Sequence, residues 1–576
     1  MKMIYNITKK LGKKRITAKH NLRDSKGNKI TKEEEQCARW REYVQGIYEE
    51  NITINTDEID LEEQIKLEVN EGNITKQEIK EAIKNLKNQK AAGEDNIAAE
   101  LLKADIHTST EVLHELINQI WNEEKIPKDW KTGIMIKLPK KGDLSLCENW
   151  RGITLLDNAS KILTRIILER IKRATDKTLR QNQAGFRANR SCNDHITTLR
   201  IIIEQSKEFN CKLYSTFIDF ERAFDSLNRK ALWKLLELYG FPDKFIRIIK
   251  QLYEDYKVKI LHNGKTTKAV EIQSGVRQGC IISPTLFLIA VDWIMRKSEN
   301  KSGIIWKVFE HLESLEYADD ICLLSNTKEQ MQQKINRVDC FGKKIGLKIN
   351  TNKTKVMAIN TNQNTNITLN GENLETVNRF TYLGSVITDK GGTEEDIAVR
   401  IGKANQAFRA LQTVWNSKTI SIKTKMRLFN SNIKTVLLYG CESWKNTKTF
   451  TNKLQVFINK CLKKIHKIYY PQIISNKELW NISNEKPIKQ LIMERKWRWI
   501  GHTLRKDNKS IVKEALEWNP PGKRKVGRPS MTWRRTVLEE AKKGNKTLSE
   551  LKQLAKNRVR WRSFVAAQCS LANEDG

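Results

Sequence analysis

The sequence lacks the features that mark secreted, membrane-spanning and disulfide-rich proteins. No apolar run in its 576 residues approaches the roughly 18 residues that a membrane-spanning helix needs. Its first thirty residues contain no apolar segment of the kind found in secretory signals. The ten cysteines are scattered without a CxxC pair, which favours reduced thiols over a disulfide framework. These absences predict a nuclear or cytoplasmic protein without a membrane partner.

Acidic residues are scarce relative to basic ones. The chain has 104 Lys+Arg against 68 Asp+Glu, a formal net charge of +36. Residues 401–576 hold 38 Lys+Arg and 12 Asp+Glu, a net charge of +26, whereas the first 400 residues carry only +10. This excess favours a polyanionic partner, with nucleic acid the first candidate. A lysine-rich protein from an AT-rich genome is an alternative that charge alone leaves open.

Hydrophobic residues at 39% are enough to build cores, and the length predicts two to four folding units. The first 35 residues form a charged lead-in, and a short helix is predicted over 33–50. The acidic stretch 51–72 is interpreted as a linker. Thr75 is a cap residue that begins an amphipathic helix, and this helix ends before a turn at 92–95.

Between about residues 130 and 390, short β-like runs alternate with helical patterns, which indicates an α+β or α/β core. The predicted strands are 132–138, 213–220, 258–261, 313–325 and 355–360. The predicted helices are 158–176, 194–209, 229–239 and 284–300. Beyond about residue 393 the strand pattern disappears, and apolar residues from Ile397 to Trp415 alternate steps of four and three. Further helices are predicted near 423–440, 450–467, 487–505, 531–543 and 547–566.

Two acidic sites point to chemistry. In residues 217–225 (FIDFERAFD) a predicted strand ends at Asp219, and in residues 317–320 (YADD) a predicted hairpin carries Asp319 and Asp320 at its tip. Adjacent carboxylates repel each other unless cations neutralise them. Hard oxygen ligands favour Mg²⁺ over zinc, and two such ions can assist a phosphoryl transfer. A lone Asp-Asp pair is usually only a solvated turn, so the assignment depends on what surrounds it.

The surrounding segments supply that support. Residues 273–287 (QSGVRQGCIISPTLF) lie between the two acidic sites and lead into a helix. Together, the three segments resemble the ordered A, B and C motifs of reverse transcriptases, and more specifically those of non-LTR (LINE-type) retrotransposons. Further blocks of that family occur in order: 91–97, 139–143, 149–156, 183–187, 346–350, 353–355 and 380–384.

The resemblance implies a fold and its divisions. It implies an α+β right-hand polymerase, with an antiparallel palm sheet and a helical thumb, followed by an all-helical basic C-terminal region. The implied divisions are an N-terminal extension and linker (1–74), an N-terminal extension of the fingers (75–130), fingers and palm (131–390), thumb (391–445) and a nucleic-acid-binding region (446–576).

The resemblance also implies residue roles. Asp219, Asp319 and Asp320 match the catalytic, metal-binding carboxylates, and the carbonyl of Phe220 is a further candidate ligand for two Mg²⁺ ions, with Mn²⁺ as a substitute. The implied nucleotide-binding residues are Lys140, Lys141, Arg151, Arg187, Phe224, Gln278, Gly279 and Lys353. Phe224 matches the residue that excludes a ribose 2′-hydroxyl, and Lys353 matches a proton donor to pyrophosphate. The division of roles between Lys140 and Lys141 is open. Tyr382, Leu383 and Gly384 match the primer grip.

Cations and aromatic residues alternate in the C-terminal region, a mixture suited to phosphate contact and base stacking. The blocks are 497–502, 522–529 and 558–562, and the named candidates are Trp497, Arg498, Lys523, Arg524, Lys525 and Arg528. A minor-groove hook at 527–529 is disfavoured because Val526 replaces the arginine that should precede it. No zinc site is expected at Cys461 and His466, because a second cysteine pair is missing.

The implied activity is RNA-directed DNA polymerisation from a DNA 3′-hydroxyl, with element RNA, a DNA primer or target, and dNTPs as partners. Relatives commonly carry an endonuclease before the polymerase, and the roughly 75 residues before the first block are too few for one. We therefore expect a truncated or fragmentary element, whose target is nicked by another protein or is not nicked at all. A non-catalytic nucleic-acid-binding relic or domesticated fragment is the main alternative, and a maturase- or telomerase-like relative is a third.

Overall fold

The computed structural model describes residues 22–48, 54–61, 65–361 and 366–574, with side chains to residue 570. Most of the predicted charged lead-in, residues 1–21, lies outside the described residues. The described part of the predicted linker is not a linker, because Ile59 and Leu67 are buried in the main core. Leu67 also donates a backbone hydrogen bond of 3.2 Å to Gly240. No helix of the described residues is long and apolar enough to cross a bilayer.

The fold mixes helices and strands, so an α+β class is confirmed. The strands are Leu22–Arg23, Lys29–Ile30, Thr132–Pro139, Trp150–Leu155, Leu213–Ile218, Lys257–His262, Lys265–Thr266, Val270–Glu271, Ile304–Ile305, His311–Leu312, Ser314–Tyr317, Asp320–Ser325, Lys355–Ile359, Thr368–Leu369, Glu372–Asn373, Glu375–Thr376, Arg379–Tyr382 and Ser385–Thr388. The five strand segments predicted between 130 and 390 are all present, and the segment 313–325 is a hairpin as expected.

Helices precede, separate and follow these strands. Up to residue 344 they are Glu33–Tyr48, Lys76–Lys84, Ala99–Ala104, Ile106–Glu123, Asn158–Thr178, Cys192–Glu208, Ala223–Ser226, Arg229–Leu238, Asp243–Tyr253, Ser283–Ser298 and Lys328–Lys344. Beyond it they are Thr393–Ala410, Gln412–Asn416, Ile422–Leu428, Thr435–Leu437, Lys448–His466, Asn476–Ser483, Ile488–Leu504, Ile511–Ala515, Trp533–Lys543, Leu548–Lys556 and Arg558–Glu574.

Two of the predicted C-terminal helices are interrupted. The segment 423–440 contains a π-helical turn, Phe429–Lys434, between two short α-helices. The segment 547–566 is not one helix, because it breaks at Asn557. The side chain of Asn557 accepts hydrogen bonds from the backbone N–H groups of Val559 and Arg560, and so caps the start of the next helix.

The first of two five-stranded sheets lies at the centre of the fold. Its order is Ser314–Tyr317, Asp320–Ser325, Leu213–Ile218, Lys355–Ile359 and Glu375–Thr376, antiparallel except for the last pair. The strand Leu213–Ile218 is buried at every position because a hydrophobic cluster covers each face of the sheet. Tyr214 and Ile218 contribute to one cluster, and Leu213 and Phe217 contribute to the other.

The second sheet lies beside the first and contains Trp150–Leu155, Thr132–Pro139, Lys257–His262, Lys265–Thr266 and Val270–Glu271. Thr132–Pro139 pairs antiparallel with Trp150–Leu155 and parallel with Lys257–His262. This sheet carries the predicted segments 139–143 and 149–156, which places them beside the loop that follows residue 271.

The C-terminal region packs on the central sheet. Buried residues from Met493 to Cys569 share one cluster with the strand residues Leu213 and Phe217. Buried residues from Ile397 to Ile492 form a separate cluster. The boundary predicted at residue 445 therefore lies inside a continuous hydrophobic cluster, and helices beyond residue 492 cover one face of the sheet that carries the acidic sites.

Candidate active site

The register of the central sheet brings two carboxylates opposite each other. Ile321 pairs with Ile218, so the next residues outward, Asp320 and Asp219, face each other where the strands end. Directly opposed residues of an antiparallel pair have Cβ atoms about 4.5–5.5 Å apart. Asp319 lies in the turn that precedes Asp320. The three predicted carboxylates therefore share one end of the sheet.

Burial and mutual repulsion raise the pKa values of two of these carboxyl groups. The pKa of Asp319 is raised by burial and by the nearby charge of Asp219. Burial, followed by the charges of Asp319 and Asp219, raises the pKa of Asp320 to about 6. Holding all three groups as anions is therefore costly, and a nearby cation would lower this cost.

Lys353 supplies one such cation. Its Nζ lies 3.2 Å from Oδ2 of Asp219. Lys353 lies in the turn before the strand Lys355–Ile359, which pairs with the strand that ends before Asp219. The contact is an ion pair without hydrogen-bond geometry, since this Oδ2 has no hydrogen-bond partner among the described residues. A buried carboxylate oxygen without a donor can accept a further ligand.

The donor set fits a hard divalent cation by its chemistry. Carboxylate oxygens are the ligands that Mg²⁺ prefers, and the Oδ2 of Asp219 has no donor of its own. Within the described ranges, no three His, Cys, Asp or Glu side chains converge closely enough to hold a metal ion. Two Mg²⁺ ions at these carboxylates therefore remain a prediction.

A cavity of about 670 Å³ opens beside Asp219 and Asp319. Most of the predicted nucleotide-binding residues line it, and these are Lys140, Arg151, Phe224, Gln278, Gly279 and Lys353. Phe220 also lines it, whereas Asp320 and Lys141 do not. The two lysines are thus distinguished by position, with only Lys140 facing the cavity.

Lys140 is part of a group of cations opposite the carboxylates. Its Nζ donates a hydrogen bond of 3.1 Å to the carbonyl of Glu148, which fixes the side chain. Burial lowers the pKa of Lys140, and the neighbouring charges of Arg151 and Lys353 lower it further. A cavity lined by both clustered cations and carboxylates is suited to a polyphosphate with bound metal.

Phe224 forms an aromatic wall of the cavity. Its ring stacks on that of Phe287, with centroids 4.4 Å apart and planes 19° from parallel. Phe287 is fully buried in the helix Ser283–Ser298, so it fixes the ring of Phe224 from behind. The predicted role of Phe224 against a sugar is compatible with this rigid placement.

Asp225 has a positioning role in the structure. Its Oδ1 accepts hydrogen bonds from the hydroxyl of Tyr48 at 2.9 Å and from Nε2 of Gln278 at 2.7 Å. Burial raises the pKa of Asp225, and the two hydrogen bonds partly offset this effect. Asp225 therefore holds the side chain of Gln278, a cavity-lining residue, in one orientation.

The loop that carries Gln278 is fastened to the second sheet. The backbone N–H of Thr154 donates to the carbonyl of Gln278 at 2.7 Å. The next residue, Gly279, has a φ of +127°, and a Cβ at this position would lie 2.2 Å from the carbonyl oxygen of Thr154. Only glycine allows this approach, which explains the Gln-Gly pair in the sequence.

The helix Glu33–Tyr48 forms a wall of the cavity that sequence reasoning missed. Five of its residues line the cavity: Trp40, Tyr43, Val44, Ile47 and Tyr48. The predicted helix is confirmed, but its apolar spacing indicated only a buried face and not what that face covers. The only sequence feature that could have indicated this wall was the row of aromatic residues on one face of the helix, which lies outside the blocks that resemble reverse transcriptases.

The site residues belong to a recognisable domain. The family described as "Reverse transcriptase (RNA-dependent DNA polymerase)" matches residues 138–387, which contain all three carboxylates and the cavity-lining loop. This chain carries a reverse transcriptase domain. A second match, to a domain of unknown function, covers residues 407–439.

Similar proteins are polymerases of mobile elements. A probable RNA-directed DNA polymerase from transposon BS of Drosophila melanogaster is 25% identical over 409 residues, covering 68% of this chain and 44% of the relative. The polymerase from mobile element jockey of Drosophila funebris is 25% identical over 412 residues, with the same coverage. The Pol polyprotein of retrotransposable element R2DM of Drosophila melanogaster is 24% identical over 249 residues, covering 43% and 23%. The chain thus spans less than half the length of these relatives, and the resemblance to non-LTR reverse transcriptases is confirmed.

Arg187 does not face the nucleotide cavity of the reverse transcriptase domain, so its predicted role is wrong. Its side chain is 3% exposed and forms an ion pair of 2.6 Å with Asp176. The remaining guanidinium donors bind the carbonyls of Asp176, Arg180 and Gln183. With its donors occupied inside the fold, Arg187 stabilises the turn that follows the helix Asn158–Thr178.

The predicted primer grip is a hairpin of the reverse transcriptase domain, with Leu383 and Gly384 at its turn. Tyr382 is buried, and its hydroxyl donates to the carbonyl of Leu315 in the acidic hairpin at 3.1 Å. The hydroxyl of Tyr439 donates to the carbonyl of Leu383 at 2.8 Å, and Arg400 donates to that of Gly384. The hairpin is therefore fixed between the acidic strands and the helices beyond residue 393.

The predicted nucleic-acid-binding residues of the C-terminal region occupy different environments. Trp497 is fully buried and donates from Nε1 to Glu540 at 2.9 Å, so the prediction that it contacts nucleic acid is wrong. Arg498 is 69% exposed and pairs with Glu494. Lys523, Arg524, Lys525 and Arg528 lie on an exposed loop. That loop is attached at Glu208, whose carbonyl accepts from the N–H of Lys525 at 3.0 Å.

Proposed function

We propose that the chain is an RNA-directed DNA polymerase of a non-LTR retrotransposon, which extends a DNA 3′-hydroxyl on an RNA template. One observation carries the proposal. Asp219 and Asp319 line one cavity together with Lys140 and Arg151, and Asp320 lies opposite Asp219 where the strands end. A similar protein is named as a probable RNA-directed DNA polymerase. The match to the reverse transcriptase family also spans this site.

The reaction joins the primer 3′-oxygen to the α-phosphorus of a dNTP, breaks the bond to the β-phosphate oxygen and releases pyrophosphate. Negative charge on the phosphate oxygens grows in the transition state, so fixed cations stabilise it. Lys140 and Arg151 are the proposed contacts of the triphosphate. Lys353, beside Asp219, is the proposed donor of a proton to the departing pyrophosphate.

The proposed metal ligands are Asp219, Asp319, Asp320 and the carbonyl of Phe220. Two Mg²⁺ ions bound there would lower the pKa of the attacking hydroxyl and neutralise charge on the leaving oxygen. The three carboxylates concentrate negative charge at the site. This charge would favour binding of divalent cations over neutralisation of the carboxylates by protons.

Phe224 and Gln278 are the proposed substrate-positioning residues. The ring of Phe224, supported by Phe287, would contact the sugar where a ribose carries its 2′-hydroxyl. Gln278, held by Asp225, would contact the incoming nucleotide or the template. Template pairing selects the base, so neither residue needs to read sequence.

The parts beyond the cavity are proposed to hold the nucleic acid. Tyr382, Leu383 and Gly384 would position the primer end. Residues 391–445, whose Arg400 and Tyr439 bond to this hairpin, would act as the thumb. The exposed loop with Lys523, Arg524, Lys525 and Arg528 would contact phosphates. Element RNA, a DNA primer and dNTPs are the proposed partners, in the nucleus or cytoplasm.

Primer extension by the full chain tests the proposal. On an RNA template with Mg²⁺, Asp319→Asn should lower the extension rate by roughly two to three orders of magnitude, because one carboxylate charge is lost from the site. Asp129→Asn removes an exposed carboxylate outside the cavity and should leave the rate unchanged. Nucleic-acid binding without extension by the unaltered chain would instead identify a non-catalytic relic.

A second assay addresses Phe224. Phe224→Val should raise ribonucleotide incorporation relative to deoxyribonucleotide incorporation by roughly tenfold or more, since steric exclusion in a pocket has about this magnitude. Phe224→Tyr retains the ring and should retain the discrimination. Unchanged discrimination in the valine variant would remove Phe224 from its proposed role.

A further inference from the structure

A second cationic site lies outside the polymerase cavity, between the helices Ile488–Leu504 and Arg558–Glu574. We call it the arginine groove. It has a volume of about 520 Å³ and is lined by Arg498, His502, Arg505, Arg558, Trp561 and Arg562. These side chains come from two segments more than fifty residues apart, so the folded structure is what creates the cluster.

Close packing of the two helices shapes the floor of the groove. Gly501 allows the approach, because a Cβ there would lie 2.1 Å from Nε1 of Trp561. The same Nε1 donates a hydrogen bond of 3.1 Å to the carbonyl of Trp497. Trp561 is 3% exposed and so forms a rigid aromatic floor.

Helical spacing places the cations on the two rims. Arg498, His502 and Arg505 are separated by four and three residues, and Arg558 and Arg562 by four, so each set lies along one helix face. Residues four apart on a helix are displaced by about 6 Å along the axis. The groove therefore presents four arginines and the imidazole of His502 above an aromatic floor. Burial lowers the pKa of His502, so the positive charge comes from the arginines.

The charge of the groove is largely uncompensated. Arg498 pairs with Glu494, and Arg505 donates to the carbonyl of Ala555 at 3.1 Å. Arg558 and Arg562 form no ion pair and no side-chain hydrogen bond with any residue in the described part of the chain. Clustered like charges repel each other, and a bound polyanion would remove that repulsion.

The groove continues toward the reverse transcriptase domain. His502, Arg505 and Arg558 also line an adjoining cavity of about 390 Å³, together with Arg190 of the domain. Three carboxylates line that cavity. Asp176 pairs with Arg187 and Asp194 pairs with Lys506, whereas Asp507 accepts a hydrogen bond of 2.8 Å from the backbone N–H of Lys509. The cationic path thus extends from the C-terminal helices to the segment that ends at Arg190.

That segment adjoins the catalytic hairpin. Oε1 of Gln183 accepts a hydrogen bond of 2.7 Å from the backbone N–H of Ala318, the residue before Asp319. A ligand that follows the cationic path therefore approaches the turn of the acidic hairpin. A long, flexible polyanion can occupy both the groove and the cavity, whereas a small anion can occupy only one.

We propose that the arginine groove binds the phosphodiester backbone of a nucleic-acid strand outside the polymerase cavity. That the ligand is nucleic acid rests on the proposed function. That the groove is a cationic site rests only on its own residues. Trp561 forms the floor of the groove and is not a base-stacking platform, because its ring is buried. The binding is therefore expected to be independent of sequence and strongly dependent on salt.

The test uses the full chain with Asp319→Asn, so that binding is measured without extension. Arg558→Gln and Arg562→Gln are introduced together, and affinity for an RNA–DNA primer–template with long duplex and single-stranded arms is measured by fluorescence anisotropy across salt concentrations. Affinity should fall at least tenfold, and the slope of log K against log salt should decrease by about 2, since each phosphate contact contributes about 0.7–0.9. Thermal unfolding should be unchanged because both arginines are exposed.

Lys556→Gln with Arg560→Gln is the matched control. It removes the same charge from exposed positions in the same part of the chain, outside the groove. An equal loss of affinity in this control, or no loss in the groove variant, would overturn the proposal. Shortening first the duplex arm and then the single-stranded arm identifies the part that the groove binds. When the bound arm is removed, the difference in affinity between the groove variant and its parent should vanish. If it vanishes for neither, the proposal fails.

Two further results separate the possible explanations. Calorimetric titration with inorganic phosphate tests for a small-anion site, and tight phosphate binding that the groove variant loses, with nucleic-acid affinity unchanged, would overturn the proposal. Extension is measured separately with Asp319 intact. Absence of extension by the unaltered chain, combined with groove-dependent binding, would reject the polymerase and support the groove.

Discussion

The hydroxyl of Tyr48 donates a hydrogen bond of 2.9 Å to Oδ1 of Asp225, which lies 177 residues further along the chain. The same oxygen accepts from Gln278 at 2.7 Å. A helix outside the matched family domain therefore takes part in orienting a residue of the nucleotide cavity. Asp225 is buried, so the loss of either donor leaves a poorly solvated carboxylate.

Tyr48→Phe should raise the KM for dNTPs by roughly tenfold with a smaller change in kcat. A hydrogen bond to a charged group contributes about 1.5–3 kcal/mol, and its loss lets Gln278 leave its bound orientation. Steady-state extension with varied dNTP concentration measures both constants. Tyr43→Phe is the control, since Tyr43 lines the same cavity without bonding to Asp225. Equal effects of both variants would contradict a specific role for Tyr48.

Gly279→Ala should strongly reduce both stability and extension. The added Cβ would lie 2.2 Å from the carbonyl oxygen of Thr154, so the loop must move away from the second sheet. Gly264→Ala separates this effect from backbone strain, because Gly264 has a φ of +88° and nothing within 4 Å of its ideal Cβ. Strain alone costs about 1–3 kcal/mol. The Tm of Gly279→Ala should therefore fall further than that of Gly264→Ala, and equal Tm values would refute the steric argument.

The carboxylates and the cavity-lining loop were predictable from sequence because their chemistry is local. Asp219 ends a strand pattern, and Asp319 and Asp320 lie in a hairpin pattern, so their positions follow from alternation and turn signals. Gln278 and Gly279 are likewise part of a short motif. These residues occupy the strand ends and the loop that the patterns indicated.

The remaining features depend on contacts between distant segments. Trp497 and Trp561 belong to helices whose composition is equally compatible with nucleic-acid contact and with burial. In the structure both rings are buried and pack against each other. Arg187 has the same composition-level signal as Arg151, yet only Arg151 faces the cavity, because Asp176 holds Arg187 inside the fold. Periodicity shows which face of a helix is apolar, but not which element covers that face.

Arg200→Met should destabilise the protein by about 3 kcal/mol, because the buried Asp396 loses the cation 2.9 Å away and keeps only the longer contact of 3.7 Å with Arg400. Arg200 is 1% exposed and Asp396 is fully buried, with 2.9 Å between the paired atoms. Arg200 also donates to the hydroxyls of Ser385 and Ser443, which links the grip hairpin to the helices beyond it.

Thermal unfolding measures this effect, with the double variant Arg200→Met, Asp396→Leu as the control. Replacing both residues removes the carboxylate that lost its nearer cation and leaves Arg400 bonded to the carbonyl of Gly384, so the double variant should recover part of the loss. A double variant no more stable than Arg200→Met would show that hydrogen bonds to Ser385 and Ser443, rather than the charge pair, account for the effect.

The pH dependence of stability should contain a contribution from Asp157. Its side chain is buried, and burial followed by the nearby charge of Asp95 raises its pKa to about 6 from an ordinary value of 3.8. Between about pH 4 and pH 6 the folded state therefore binds more protons at this group than the unfolded state. This contribution to stability is present at pH 4 and is lost as the pH rises through 6.

Asp157→Asn should abolish that contribution, because the amide stays neutral while its oxygen can still accept from the N–H of Asp95, 3.4 Å away in the parent. The variant and parent should have similar Tm values near pH 4, and the variant should be the more stable of the two at pH 7. Asp129→Asn, at an exposed position, should follow the parent throughout. Parallel Tm profiles for Asp157→Asn and the parent would mean that Asp157 is already ionised at low pH in the folded protein, and that a neighbouring cation or water compensates its charge.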